Sequence, residues 1–445
     1  MLISFTFQNW MSFKGESYFH TIADDDYNLN KLKLYHLEKY KTDIIPTSVI
    51  YGANASGKSN FFKALAFVKE FITQITLNNT IEVKPYIFDE ETEHGESYFA
   101  VLLYVNGQMY HYEFVITKTE VIRETMVKIY LDDYTVIYNR ENGAITFDAS
   151  LERQDHLQLI FRITRRSQLF LQACRINNRN DFDEVYNWFA DKLEIILPNQ
   201  TLMPILPYFK DDHPLHQEIT KILSDLDTGI EDLTAVKQTA GNSGLFLPIS
   251  DVFKFMGTLQ EGSFYRCFNP DNAQRMIIAK ENGKMYLYNI GAVHTTKQGR
   301  TKIIELSQES EGVNRLFELL PIFAPGNLEN KGKTYLIDEL DRSLHPIVVA
   351  ALLELFFEHC DNSDGQQLIF SCNDVQLFDQ YYLRKDQFWL VENDKDAGSK
   401  IFNIREYRQT KDDKALRKSY LTGNLGGIPH IGTIGLLDVS PCPEP

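Results

Sequence analysis

The chain has 445 residues, 61 acidic against 45 basic, a net charge of −16, and 43% apolar and 24% charged side chains. That is the balance of a soluble globular protein with length for one large or two to three ordinary domains, and its acidity argues against a protein that coats nucleic acid over its whole surface. No basic-plus-apolar leader opens the sequence and no run reaches the roughly 18 apolar residues of a membrane span, so a cytoplasmic protein with no membrane partner is expected.

Residues 1–20, "MLISFTFQNWMSFKGESYFH", alternate apolar and polar side chains as half-buried strands do, which predicts strand, loop, strand. After a polar, tyrosine-rich connection, "TSVIY" reads as a strand that breaks into glycine. "NFFKALAFVKEFITQI" follows with Phe62, Leu65, Ala66, Lys69 and Phe71 near helical spacing. From about 85 to 150, short alternating runs punctuated by Asn-Gly and Asp-Asp predict an antiparallel β-lobe. "DFDEVYNWFADKLEIIL" and "LHQEITKILSDL" read as helical. Strands are expected again at "RMIIAK" and "KMYLYNI", and a helix at "GVNRLFELLPIF".

In the closing third, "KTYLIDEL" is a strand ending in two carboxylates, and "HPIVVAALLELFFEHC" is a helix opened by proline. "QQLIFSCND" and "QFWLVEND" are further strands. Strands alternating with helices define an α/β fold with a largely parallel sheet. The expected organisation is 1–150, an N-terminal lobe; 151–235, a helical insertion; 236–430, a C-terminal lobe; and 431–445, a tail.

Cys174, Cys267, Cys360, Cys372 and Cys442 lie far apart with no Cys-x-x-Cys pair, which suggests free thiols in place of disulfides or a zinc site. Arg162, Arg165, Arg166, Arg175 and Arg179 cluster in "FRITRRSQLFLQACRINNRN". Such a run is either a solvated, ion-paired helical face or a contact for a polyanion or acidic partner.

Three stretches carry chemistry. "GANASGKS", residues 52–59, is Gly-x-x-x-x-Gly-Lys-Ser between a strand and a helix. Glycines allow the curl that aims successive N–H groups at β- and γ-phosphates, Lys58 adds a point charge, and Ser59 can ligate Mg2+. The nucleotide-binding set is Gly52, Asn54, Ala55, Ser56, Gly57, Lys58, Ser59 and Asn60. In "TYLIDELDRSLHP" an apolar strand delivers Asp338 and Glu339 to its carboxyl end, where ligand sites of open α/β sheets lie. Asp338 suits the Mg2+ hydration shell and Glu339 a general base for the attacking water. In "LSQESEGVNRLFELL", Ser310 and Gly312 stand at a helix entry, where Ser caps and free amides bind anions.

"GANASGKSN", "ESEGVNRLFELL", "LIDELDRSLHP" and "LIFSCNDVQLFD", in that order, resemble the Walker A, signature, Walker B and switch segments of ABC-type ATPases. The likeness is closer to the soluble branch with structural-maintenance-of-chromosomes (SMC) heads and OLD-family proteins than to exporters. Within it, "LISFTFQNWMSF", "SQLFLQ", "QFWLVEND" and "LRKSYLTGNLGGIP" resemble bacterial AAA-type ATP-binding proteins of phage-defence loci, a group that includes the AriA ATPase of the PARIS system and the ATPase partners of RloB-type nucleases.

The resemblance implies an ABC-ATPase head that clasps ATP and Mg2+ between two subunits, with Ser310 and Gly312 of one closing over the γ-phosphate held by the other. It also implies a homodimer or an oligomer of dimers, an effector such as a Toprim-type nuclease, and a phage-encoded trigger or DNA as partners. One departure is Asn373, which stands where the superfamily usually has the switch histidine. It can hydrogen-bond a γ-phosphate but carries no proton charge, so slow hydrolysis is expected. The alternatives are an OLD-like ATPase-nuclease, for which Glu392, Asp394 and Asp396 are the candidate Toprim carboxylates, and a DNA-repair or SMC-like ATPase. About fifty residues follow Glu392, few for a Toprim domain, and no coiled-coil arm is present.

Overall fold

The computed structural model describes residues 1–24, 34–75, 79–151, 155–198, 213–239, 260–269, 274–359, 365–378, 383–394, 397–406 and 416–428. The chain forms two compact units, Met1–Leu197 with Gly332–Glu339 and Gly365–Pro445, and Pro198–Lys331 with Leu340–Asp364.

In the first unit, β1 (Leu2–Gln8) and β2 (Ser17–His20) are the antiparallel pair expected from the alternation of residues 1–20. The small pair β3 (Tyr35–Leu37) and β4 (Thr42–Ile44) precedes β5 (Thr47–Gly52), whose six residues are all buried. After the helix Lys58–Thr73 come β6 (Ser97–Val105), β7 (Gln108–Ile116), β8 (Val121–Ile129), β9 (Tyr134–Glu141) and β10 (Ala144–Phe147). They continue the sheet of β1 and β2 in the order β10-β9-β8-β7-β6-β1-β2, antiparallel throughout. Its tight turns at Asn106-Gly107 and Asn142-Gly143 have both residues at positive φ, the geometry that matches strand twist in two-residue hairpins.

Three helices follow, Asp155–Ile163, Phe170–Ile176 and Asp183–Asn187. The stretch "DFDEVYNWFADKLEIIL" differs from its helical reading. After a single wide turn at Trp188–Lys192 it becomes β11 (Leu193–Ile196), an edge strand of the parallel sheet. The β-branched pair Ile195-Ile196 and pairing with a buried strand outweigh the helical spacing to its left.

The parallel sheet runs β11-β17-β18-β5-β19-β20, with β17 (Thr334–Ile337), β18 (Gln367–Ser371), β19 (Phe388–Asp394) and β20 (Gly398–Asn403). Only the β19–β20 pair is antiparallel. β17, β18 and β5 are buried at every residue, which is why they read as continuous apolar runs and not as alternations. The helix Lys58–Thr73 buries Phe61, Leu65, Val68 and Ile72, with Phe62, Ala64 and Phe67 beside them. Ala66, Lys69 and Phe71 of the predicted stripe are only half-buried, so the core face is offset from the one expected. Phe61 meets Phe5 of β1 and Phe19 of β2 edge-on at 6.0 and 5.2 Å, packing the helix against the antiparallel sheet.

One buried charge ties the β-lobe to the helical segment. Glu124 of β8 is fully buried, accepts hydrogen bonds from Tyr112 (3.0 Å), Tyr138 (2.9 Å) and the amides of Phe170 (2.6 Å) and Leu171 (3.0 Å), and pairs with Arg140 at 3.4 Å. Burial beside this carboxylate pushes both tyrosines well above the usual phenol range. Glu124→Ala would strand two phenols, two amides and a guanidinium, and a loss of about 3–5 kcal/mol is expected in denaturant unfolding.

The second unit holds an antiparallel sheet of β12 (Asp232–Thr239), β13 (Phe264–Asn269), β14 (Gln274–Glu281), β15 (Lys284–Thr295) and β16 (Thr301–Glu305). β12 lies along one edge of β15; β14, backed by β13, and β16 share the other. Its helices are Pro214–Asp225, Glu311–Phe323 and Pro346–His359, the last opened by proline as expected. Among the described residues no helix is long and apolar enough to cross a membrane. Cys174 and Cys372 are buried free thiols; the side chains of Cys267, Cys360 and Cys442, and the expected tail, lie outside the described residues.

Candidate nucleotide-binding site

β5 runs between β18 and β19 and ends at Gly52, where the loop begins. A Cβ on Gly52 would lie 2.4 Å from the Val391 carbonyl oxygen and 2.6 Å from Ser56 Oγ, so only glycine lets the chain leave the sheet here. Ala55 (φ 63°) and Gly57 (φ 115°) take left-handed backbone, and the Ser56 amide donates to the Ala53 carbonyl at 3.1 Å, closing the curl. Gly57 then opens the helix Lys58–Thr73, its carbonyl accepting from the amides of Asn60 and Phe61.

Lys58 is 9% exposed and its Nζ donates to the carbonyls of Gly52 (2.6 Å) and Ala53 (3.3 Å), so the ammonium lies inside the loop that it would serve. Ser59 and Asn60 are half-buried, Asn54 and Ala55 exposed. The loop is braced from behind. Ser399 of β20 donates to the Ser56 carbonyl at 2.6 Å and accepts from Ser12 at 2.8 Å, and Asn60 Nδ2 donates to Ser12 Oγ at 2.8 Å. Ser12 and Ser399 have no motif to announce them; only the pairing of β20 beside the loop brings them there.

Parallel pairing sets Ile337 against Phe370 and Ser371 against Ile50, so β17, β18 and β5 all end at one edge of the sheet. Asp338 follows β17 at that edge, fully buried, its amide bonded to the Ile196 carbonyl at 2.9 Å. Its Oδ1 accepts from Ser371 Oγ at 2.6 Å, while Oδ2 is buried with no hydrogen-bond partner among the described residues. Glu339 is half-buried with φ 55°, and its amide donates to the same Ser371 Oγ at 2.7 Å. Asn373 is exposed two residues beyond Ser371, next to Asp374, whose carbonyl accepts from Tyr51 at 2.6 Å. The sequence pointed to Asp338, Glu339 and Asn373 but not to Ser371, whose only trace is a polar residue closing the apolar run "QLIF".

A glycine cradle that a Cβ would fill and a carboxylate oxygen buried without a partner are what a phosphate chain and a hydrated divalent cation require. Asp338 and Ser59 are the residues that would hold such a cation.

Ser310 and Gly312 belong to the second unit. Ser310 caps the helix Glu311–Phe323, its Oγ accepting from the Val313 amide at 3.2 Å. Gly312 lies so close to the loop after Leu340 that a Cβ would come within 2.7 Å of the Ser343 carbonyl oxygen. Glu311 pairs with Arg342 at 3.0 Å; a hydrogen bond from Ser343, with Arg342 adding to it, holds its carboxyl below the usual range.

The arginine cluster is ion-paired in large part. Arg175 meets Asp183 at 3.2 Å, Arg179 meets Asp181 at 3.0 Å, and Arg166 approaches Glu120 at 4.0 Å. Of the candidate Toprim carboxylates, Glu392 accepts from the Gly427 amide at 2.6 Å and Asp394 from the Ala397 amide at 3.2 Å; Asp396 lies outside the described residues.

A mixed α/β fold with a glycine loop and paired carboxylates at the carboxyl edge of its parallel sheet defines a P-loop, ATP-binding class of protein. The family model described as "AAA domain, putative AbiEii toxin, Type IV TA system" matches residues 48–377, and the chain belongs to that family of AAA-type ATPases. Among solved structures, the SMC head domain from Thermotoga maritima is similar at 13% identity, covering 90% of this chain and 98% of that one, with a TM-score of 0.35. No curated protein sequence matches the chain.

Proposed function

We propose that this chain is a nucleotide-driven sensor and scaffold that binds ATP and Mg2+ between two subunits and controls an effector such as a nuclease in bacterial anti-phage defence. The observation that carries the nucleotide half of this reading is the meeting, at one sheet edge, of the Gly52–Ser59 cradle and the partnerless Oδ2 of Asp338. In it, the loop amides and Lys58 bind the β- and γ-phosphates, Asp338 and Ser59 hold the cation, and Glu339 takes the proton of the attacking water. Mg2+ supplies charge neutralisation of the phosphates when bound. Asn373 hydrogen-bonds the γ-phosphate without supplying a proton, which suits a slow timer.

The defence and effector half is supported by the resemblance to AAA-type proteins of phage-defence loci, the AriA and RloB-associated ATPases among them. The family description, which names a toxin of a two-part system, agrees with a chain that works with a partner protein. An N-cap serine with an exposed side chain at Ser310, and Gly312 next to it, leave the helix entry available to the phosphates of a second copy.

Subunit mixing tests the composite site. Ser310→Arg and Lys58→Ala, each inactive alone, should together regain about a quarter of wild-type ATPase activity, because half the dimers are mixed and each mixed dimer keeps one intact site of two. Activity that stays absent on mixing, with both variants folded, would mean that Ser310 does not act in trans.

A further inference from the structure

Ser371 closes β18 and is fully buried. Its hydroxyl has one proton and two lone pairs. The Glu339 amide can only donate and an ionised Asp338 can only accept, so the direction of both bonds is decided. Ser371 accepts from the Glu339 N–H at 2.7 Å and donates to Asp338 Oδ1 at 2.6 Å. The single proton is thereby committed to Asp338. Two consequences follow at once. The carboxylate is pinned by Oδ1, which leaves Oδ2 as its one unengaged oxygen. The backbone of Glu339 is tethered in a left-handed conformation, φ 55°, that a glutamate rarely adopts unaided.

We infer that Ser371 is a positioning residue that sets the cation-holding carboxylate of Asp338 and the backbone of Glu339 together, through one hydroxyl. This rests on the ATP–Mg2+ reading of the site. Among the described residues the Ser371 hydroxyl bonds to Glu339 and Asp338 and not to the glycine loop, so its role is separable from phosphate binding. Without the hydroxyl, Asp338 loses the bond that pins Oδ1 and the Glu339 amide loses the bond that tethers its left-handed turn. Cation affinity and turnover should then fall while the grip of Gly52–Ser59 on the nucleotide persists.

The test compares wild type, Ser371→Ala and Ser371→Thr, with thermal melting to establish folding. A fluorescent ATP analogue is titrated in EDTA, and Mn2+ is then titrated, by the electron paramagnetic resonance of the free ion, into protein saturated with a non-hydrolysable ATP analogue. Ser371→Ala should bind Mn2+ about 10- to 100-fold more weakly, the usual effect of losing a partner that orients a metal ligand. Metal-free nucleotide affinity should stay within about twofold and Ser371→Thr should recover most of the Mn2+ affinity, because the interaction removed serves the cation and not the phosphates. Unchanged Mn2+ affinity in Ser371→Ala overturns the inference, as does a parallel loss of metal-free nucleotide binding, which would mark a merely structural serine. A wild-type protein that binds no nucleotide sinks the ATP reading itself, an outcome distinct from either.

Discussion

Lys58→Ala is expected to abolish nucleotide binding, with ATP affinity falling by about 100- to 1,000-fold, because a charge-assisted bond to phosphate in a buried loop has no water to replace it. The change is local. Lys58 is the first residue of a long helix, alanine is the best helix former, and the apolar face that docks the helix begins at Phe61. The bonds from Nζ to the Gly52 and Ala53 carbonyls are lost from the free protein. Isothermal titration with ATP, beside a melting curve close to wild type, measures the effect. ATP affinity that survived the substitution would show that the loop is a turn with the spacing of a phosphate loop and none of its use.

Glu339→Gln should separate binding from turnover. The amide has the size and shape of the carboxylate and keeps the same backbone tether to Ser371, so the left-handed turn is retained. What it lacks is a basic oxygen, and removal of a general base costs about 100- to 10,000-fold in rate. The variant should bind ATP as wild type does, hydrolyse it barely, and elute with ATP as a stable larger species, since under the proposed shared site the nucleotide between two subunits would no longer be consumed. Size-exclusion chromatography with light scattering, with and without ATP, reads this directly. An unchanged mass with ATP would weigh heavily against two subunits sharing the nucleotide.

How much of this was legible in the sequence depends on how far each feature reaches along the chain. The form of the glycine loop was legible, because its turn between strand and helix is set by the spacing of eight consecutive residues. Asp338 and Glu339 were legible as a strand ending in carboxylates, and the Asn-Gly hairpins as turns, for the same local reason. Ser371 was not, because its meaning comes from pairing with β17, thirty-odd residues away, and no pattern within "LIFSCND" distinguishes its hydroxyl from that of any other serine. Ser12 and Ser399 were hidden more deeply, 387 residues apart yet in direct contact. The segment 193–196 reads as helix only if periodicity extends past Lys192, where β-branched residues and a waiting sheet edge prevail over helical spacing. The arginine cluster was ambiguous in the sequence because the acids that pair Arg175 and Arg179 follow them by only a few residues, but whether a loop folds back to meet them is a tertiary matter.

The placement of β5 has a consequence for how the protein is made. Its hydrogen-bonded neighbours, β18 and β19, are supplied by residues 367–371 and 388–394. While the ribosome works through the three hundred residues between, the strand that carries the phosphate loop has no neighbour to complete it. Such long-separated pairing is slow to form and leaves apolar strand exposed meanwhile. The sheet that carries the phosphate loop is therefore completed only once β18 and β19 have been made, and a nascent chain stalled before β19 is expected to expose the apolar edge of β5 to chaperones.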